Sequence, residues 1–435
     1  MPRKRPITII AVFIFLLSLF SPVAFAQRVF QNSLWESQRL KKAITSLAWL
    51  TLDAQPCLVA LSHQELTLYR IQGTLLAPLS TLPATRSETF YRVHTVDFDG
   101  DAQMDVVING YAREHVFSHI YSVSAGKLVL RDTLEALVVP LTLHGHTRLY
   151  QQLDRGHGVY SRAIQELTYQ QNRFVPGVEI PLREGMGGLA ESLFQVSGLR
   201  DKLVLLTNDQ RLRVQDVKGA KLWQGNQFYG GAFDYVEFTS RDALGLSRQT
   251  RFFIDPRLSF DSSSGLLAVI RNDGYLKNVV GAVPSMKSGQ VMLMEWGGAG
   301  LQERLAYPKL DGAVSDVLFA DFDGNGTQEL VVSFLVRASG YFDSWDGLQS
   351  LIAVLPVAMP VVLQTPAAEM PVPSVVLPSP VIISPVAAPL PAPVMAPAAQ
   401  TLPEPVKLPQ VSVPLQRTLT PAKKPAAKKS LSPGL

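Results

Sequence analysis

Two acidic segments more than 200 residues apart constrain this chain more than any other feature. They are Val96-Asp97-Phe98-Asp99-Gly100-Asp101-Ala102-Gln103-Met104-Asp105-Val106-Val107-Ile108 and Ala320-Asp321-Phe322-Asp323-Gly324-Asn325-Gly326-Thr327-Gln328-Glu329-Leu330-Val331-Val332. Each reads as apolar run, acidic turn, apolar run, with glycine at the same place in the turn, which is a strand–turn–strand unit. A lone hairpin cannot bury its own apolar face, so recurrence of the unit points to a repeat architecture. Fainter copies surround Asp53, Asp201 and Asp261, and a further unit lies near His144. Their intervals of roughly 45 to 65 residues suit the four-stranded blades of a propeller. No part of the body sustains a helical period. The expected fold is therefore an all-β β-propeller of six, alternatively seven, four-stranded blades. The sixth unit shows only three strands, the third at residues 350–355, before composition changes at Pro356. Its outer strand is expected from residues 28–40, so that the two ends of the body pair and close the ring.

The acidic turns carry a specific chemistry. A hard cation such as calcium takes six to eight oxygen ligands at about 2.3–2.6 Å, and alternating acidic residues on a tight turn can supply them. In the first loop the candidate ligands are Asp97, Asp99, Asp101, the carbonyl of Gln103, and Asp105. In the second they are Asp321, Asp323, Asn325, the carbonyl of Thr327, and Glu329. Gly100 and Gly324 hold the fourth place, where the chain must bend. The EF-hand is a poorer match, since Ile108 and Val332 fall where its last carboxylate should be and β-type runs flank both loops. The competing reading is a pair of acidic hairpin turns, in which Asp-Gly is common without any ion. Two copies with matching flanks favour calcium, the first loop less so because Ala102 stands where the second has Gly326.

These loops resemble the FG-GAP/VCBS class of propeller repeats, found in integrin α-subunit heads and in many exported bacterial proteins. The resemblance extends to Val214-Gln215-Asp216-Val217-Lys218-Gly219-Ala220-Lys221-Leu222-Trp223 with Tyr229-Gly230-Gly231, and to Gly289-Gln290-Val291-Met292-Leu293-Met294-Glu295-Trp296, which look like bacterial VCBS-repeat proteins. It covers most of residues 35–355 and implies a propeller with calcium in its loops. It implies no particular activity. Asp53-Ala54-Gln55-Pro56, His144-Gly145-His146 and Asp261-Ser262-Ser263-Ser264 depart from the pattern and are expected to be metal-free.

The ends of the chain suggest where such a body works. Arg3, Lys4 and Arg5, an apolar run over residues 7–20 and Ala24-Phe25-Ala26 before Gln27 describe a secretory signal peptide over residues 1–26. The run is too short for a comfortable membrane span, which needs about 20 residues, so an uncleaved anchor is the weaker reading. Residues 356–435 hold 19 of the 31 prolines and no aromatic residue, so they read as a disordered Pro/Ala/Lys-rich tail with a basic end at residues 423–429. Residues 27–355 are the propeller. The leader carries three units of the net +4 charge and the tail four more, which leaves the body about three units negative and gives nucleic-acid binding no support. One cysteine, Cys57, in an apolar run, excludes internal disulfides and reads as a buried thiol.

His115 with His119, and His144 with His146, could each share a strand face, but a third ligand is missing and hydrogen-bonded or solvent-facing histidines are the better reading. The glycine clusters at 185–188 and 230–231 lack the Lys-Ser/Thr of a phosphate loop and read as turns. No Ser/His/Asp or G-x-S-x-G arrangement is legible. The five tryptophans are spread as blade-packing residues would be. The expected function is a non-enzymatic binding or scaffold module of the periplasm or cell surface, or a secreted one, with a protein or envelope polysaccharide as partner. The alternative is an exported hydrolase or oxidoreductase with its site in the central channel, because propellers host both kinds of function.

Overall fold

The computed structural model describes residues 29–30, 32–113, 115–154, 161–182, 193–207, 209–232, 234–241, 247–275, 285–337 and 348–357. The expected leader, the tail beyond residue 357, Trp345 and the glycine cluster at 185–188 lie outside them. Among the described residues the strands form six sheets of four strands in sequence order, at residues 46–83, 88–134, 136–181, 196–228, 259–306 and 313–355, the last completed by Trp35–Glu36. The fifth carries an extra two-residue strand, Leu310–Asp311, on its third. First strands of successive sheets touch, and the ring closes where Ala313–Ala320 meets Ser46–Leu52. The molecule is a six-bladed propeller. The remaining strands, Asp234–Arg241 and Ser247–Ile254, make a separate hairpin between blades four and five, which sets the seven-bladed alternative aside.

Ring closure follows the sequence-based expectation. Trp35 pairs with Val354 and Glu36 with Ala353, so the N-terminal segment supplies the outermost strand of blade six. Backbone bonds from Leu34 to Val354 and from Ser37 to Ile352, both 2.8 Å, extend the seam, and Leu40 bridges Ser350. The body also runs slightly past the expected boundary: Tyr307 Oη donates to the carbonyl of Pro356 at 2.6 Å, and Val357 packs on the blade-six core.

The apolar runs are explained by where they fall. In five of the six blades the second strand, covered on both faces by neighbouring blades, carries apolar residues at consecutive positions rather than alternate ones; His146–Leu153 of blade three is the exception, with Leu149 and Tyr150 followed by buried Gln151 and Gln152. In Gln55–Leu61, Cys57, Val59 and Leu61 face the core shared with blade two, while Leu58 and Ala60 face the core shared with blade six. Such buried clusters recur at each of the six blade interfaces. Cys57 is fully buried, and burial raises its thiol pKa, so it is a core residue as expected. Outer strands see water on much of their surface; Lys127–Leu134 buries no residue completely.

Buried amides fasten neighbouring blades to one another. Asn109, on the second strand of blade two, donates from Nδ2 to the carbonyl of Val138 (2.9 Å) and accepts from its N–H (3.0 Å), on the first strand of blade three. Asn272, on the second strand of blade five, makes the same pair with Val314 of blade six, both at 2.9 Å. An inner strand has a free edge toward the channel, and these side chains satisfy part of it.

Candidate functional site

All six turns between the first and second strands emerge on one face of the ring. Four are short: Asp53-Ala54, His144-Gly145, Arg200-Asp201 and residues 262–265. The other two are the acidic loops, residues 97–104 in blade two and 321–328 in blade six. The tight turns close through left-handed residues, with φ of 53° and 59° at Asp53 and Ala54 and of 52° and 79° at His144 and Gly145. His144 thus sits in a turn rather than on a strand with His146, and the two are not grouped by strand alternation. Both are exposed. His119 bonds Thr133 (2.9 Å) and Glu88 (3.3 Å), in line with the bland reading of that histidine.

Within each acidic loop, three carboxylates converge. Ligand-capable oxygens of Asp97, Asp99 and Asp105 lie within 4.8 Å of one another, as do those of Asp321, Asp323 and Glu329. The first two of each set come from the turn and the third from the first residue of the following strand. Gly100 and Gly324 allow this, with φ of 79° and 75°, and no other atom lies within 4 Å of where a Cβ would be; they are required for the bend, not for space. Asp101 stands outside the first group and accepts from the N–H of Gln103 at 2.7 Å. Asn325 matches it in the second loop: its Oδ1 accepts from the N–H of Thr327 (2.6 Å) and its Nδ2 donates to Asp323 (2.9 Å). Gln103 and Thr327, expected to offer carbonyls, are exposed.

The loops are shaped by their own carboxylates. Asp97 accepts from the N–H groups of Gly100 (2.8 Å) and Ala102 (3.0 Å), and Asp321 from that of Gly326 (3.0 Å). Glu329 accepts from the N–H of Phe322 at 2.9 Å. Asp105 Oδ2 and Asp321 Oδ1 are buried with no hydrogen-bond partner among the described residues. A desolvated, unsatisfied carboxylate oxygen is costly unless something cationic meets it. Burial, then the charges of Asp99, Asp101 and Asp97, push the Asp105 carboxyl up to about 7. Glu329 is also raised, by burial and then by Asp323 and Asp321. Asp261 is the contrast. Burial alone would raise it, yet hydrogen bonds from Ser264 and Ser263 hold it below the ordinary carboxylate range. Its oxygens are already filled by those two serines, through both N–H and hydroxyl.

The phenylalanine in each Asp-Phe-Asp sequence was not singled out from the sequence, and it anchors the loop. Phe98 packs on Tyr169 and Phe174 of blade three, with ring centroids 4.8 and 5.1 Å away. Phe322 packs between Trp35, 5.2 Å away, and Trp49 of blade one, 5.6 Å away. Each loop therefore reaches from its own blade onto the next. Presence of the same residue at the same place in both copies was the available signal.

No protein-family model matches the chain, and no curated protein matches it. Among solved structures, it is similar to Saccharomyces cerevisiae Sqt1 at 11% identity, over 75% of this chain and 100% of that one, with a TM-score of 0.36. It is also similar to the WD40 domain of Toxoplasma gondii coronin at 13% identity, over 75% and 85%, with a TM-score of 0.39. The Dos1 propeller aligns at 8% identity over 71% and 66%, with a TM-score of 0.34. Likeness at this level says nothing about function; the propeller assignment stands on strand order and ring closure.

Proposed function

We propose that this protein is an exported, calcium-binding β-propeller of the FG-GAP/VCBS kind that works as a non-enzymatic binding or scaffold module in the periplasm or at the cell surface. The observation that carries the reading is the pair of three-carboxylate clusters, each with a buried carboxylate oxygen that no donor among the described residues satisfies. Asp97, Asp99 and Asp105 would hold one cation, and Asp321, Asp323 and Glu329 the other, with Asp101, Asn325 and the carbonyls of Gln103 and Thr327 completing the oxygen sets. Calcium there supplies positive charge that offsets the mutual repulsion of these groups. Because Phe98 and Phe322 reach onto adjacent blades, a filled loop would stiffen a blade interface as well as a turn. A rigid ring with loops on two faces suits docking of a protein or an envelope polysaccharide, and a proline-rich tail after residue 357 would act as a tether.

The test uses terbium, which takes calcium sites and emits when a nearby tryptophan is excited. Trp35 and Trp49 flank the second loop through Phe322, so tryptophan excitation should give terbium emission from that loop. Asp323→Asn should abolish most of the emission while Asp99→Asn retains it. No sensitised emission from the wild-type protein would sink the reading.

A further inference from the structure

Two asparagines in the chain precede a glycine, Asn109 and Asn325. Such a pair can close on itself: the glycine nitrogen attacks the asparagine side-chain carbonyl, an imide forms and ammonia leaves. The fold sets the two apart. Asn109 is fully buried on the second strand of blade two, and both ends of its amide are held by the backbone of Val138. Gly110 has no room to bend toward it, since even a Cβ there would lie 2.4 Å from the ring of Phe117 and 2.7 Å from the carbonyl oxygen of Thr89. Reaction at Asn109 therefore needs local opening of blade two.

Asn325 lies exposed in the second acidic loop, and the groups the reaction needs already surround it. The N–H of Gly326, the attacking nitrogen, donates to Asp321 Oδ2 at 3.0 Å, a carboxylate placed to take the proton. Asn325 Oδ1 accepts from the N–H of Thr327 at 2.6 Å, so a backbone donor stands where the oxygen gains charge once Cγ is attacked. Nδ2, the nitrogen that must leave, donates to Asp323 Oδ2 at 2.9 Å. The N–H of Asn325 itself donates to Asp323 Oδ1 at 3.1 Å, which fixes the side chain against its own main chain. Gly326 has a φ of 84° and carries no Cβ to hinder the approach. Orientation of this kind removes much of the entropy cost of closing the ring. The first loop has no amide to lose at the matching place, where Asp101 precedes Ala102.

We propose that Asn325 is a self-modification site: while the second loop holds no cation, the loop's own groups convert this amide into an acid. Gly326 N loses its proton to Asp321 and bonds to Asn325 Cγ; the Cγ–Nδ2 bond breaks, and Nδ2 leaves as ammonia with that proton. Water then opens the imide at one of its two carbonyls. One product is an aspartate, which matches Asp101 of the first loop; the other is an isoaspartate, which lengthens the main chain of the turn. With a cation in the loop, Asp321, Asp323 and Asn325 would spend the same oxygens on it, and the first step stops. That protection rests on the calcium reading above; the conversion itself does not.

Peptide mapping by mass spectrometry of the full chain, aged in mildly alkaline buffer, reads both asparagines in one sample. In urea the two should convert at similar rates, since each is then a plain Asn-Gly pair. In the folded protein with chelator, Asn325 should convert at least as fast as in urea, and Asn109 at least ~10-fold more slowly than Asn325. In ~10 mM calcium the Asn325 rate should fall by about 10- to 100-fold, as the share of empty loops falls at affinities typical of extracellular modules. Asp321→Asn, with folding checked by melting, should slow Asn325 several-fold in chelator, whereas a loop merely loosened by the change would not. Conversion of Asn325 that is slower in the folded, chelated protein than in urea, or that Asp321→Asn leaves unchanged, overturns the proposal. Fast conversion that ignores calcium would uphold the modification site and overturn the cation reading instead.

Discussion

At the scale of single residues, the two loops differ most at one position. Gly326 takes a φ of 84° at no steric cost, whereas Ala102, its counterpart, is held at 63°, a left-handed conformation that costs a residue with a Cβ about 1 kcal/mol. Ala102→Gly should therefore stabilise the protein by up to about 1 kcal/mol, and Gly326→Ala should destabilise it by a similar amount, as read from urea denaturation midpoints. The difference between alanine and glycine was plain in the sequence. The orphaned oxygens of Asp105 and Asp321 were not, because satisfaction depends on what the folded loop brings within reach. The same holds for His94, which nothing in the sequence sets apart and which is buried near Arg92 and Arg257. Its folded pKa lies below the ordinary 6.5, so the unfolded chain takes up the proton more readily. Its contribution to stability is complete above pH 6.5 and is lost as pH falls below that value toward the folded pKa. Melting temperatures should drop over that range, and His94→Gln should flatten that part of the profile; an unchanged slope in the variant would exclude His94 as its source.

Among elements, the governing contacts run between blades. The sequence marks second strands clearly, as in Cys57–Leu61 or Leu330–Val332, because burial on both faces leaves no place for polar alternation. Exceptions within such strands turn out to be fasteners. Asn109 and Asn272, both fully buried, hold the inner strand of the next blade by its own backbone groups. Asn272→Ala should cost about 2–4 kcal/mol, since it leaves the N–H and carbonyl of Val314 without that partner. Phe322→Ala should cost about 2 kcal/mol, less than the ~3–5 expected for a fully buried phenylalanine, because Phe322 is only partly buried. It should also weaken cation binding at the second loop while Asn272→Ala does not, a split that calorimetry on the two variants would show. The hairpin of Asp234–Arg241 and Ser247–Ile254 had no reading in the sequence: it breaks the blade period and stands outside the six sheets.

Across the whole molecule, closure by Trp35–Glu36 was the expectation that depended most on counting. Three strands visible before a proline-rich break required a fourth from elsewhere, and the segment ahead of the first blade was the one available. Deleting residues 27–40 should therefore lower cooperative stability sharply, with an earlier and broader melting transition. Ending the chain after Val357 should leave melting nearly unchanged, since the aromatic-free remainder has little to bury. A break after Leu355 should do worse than one after Val357, because it removes the carbonyl that Tyr307 uses and the Val357 side chain. The ring itself was legible because its period and its seam are covalent facts of sequence. The convergence of Arg92 and Arg257 on Asp316 was not, since the three come from blade two, the segment ahead of blade five and blade six, and meet only once the ring has closed.

The central claim is that two acidic loops bind calcium and thereby steady the propeller. Melting curves of the full chain in millimolar calcium and in chelator, run beside the Asp99→Asn/Asp323→Asn double variant, test it most directly. At an affinity typical of extracellular calcium modules, ~10 mM calcium should stabilise each loop by about 1.4–2.7 kcal/mol. The wild-type protein should then melt several degrees higher in calcium than in chelator, and the double variant should melt at the same temperature in both. A wild-type melting temperature that ignores calcium and chelator alike would contradict the account and leave both loops as plain acidic turns.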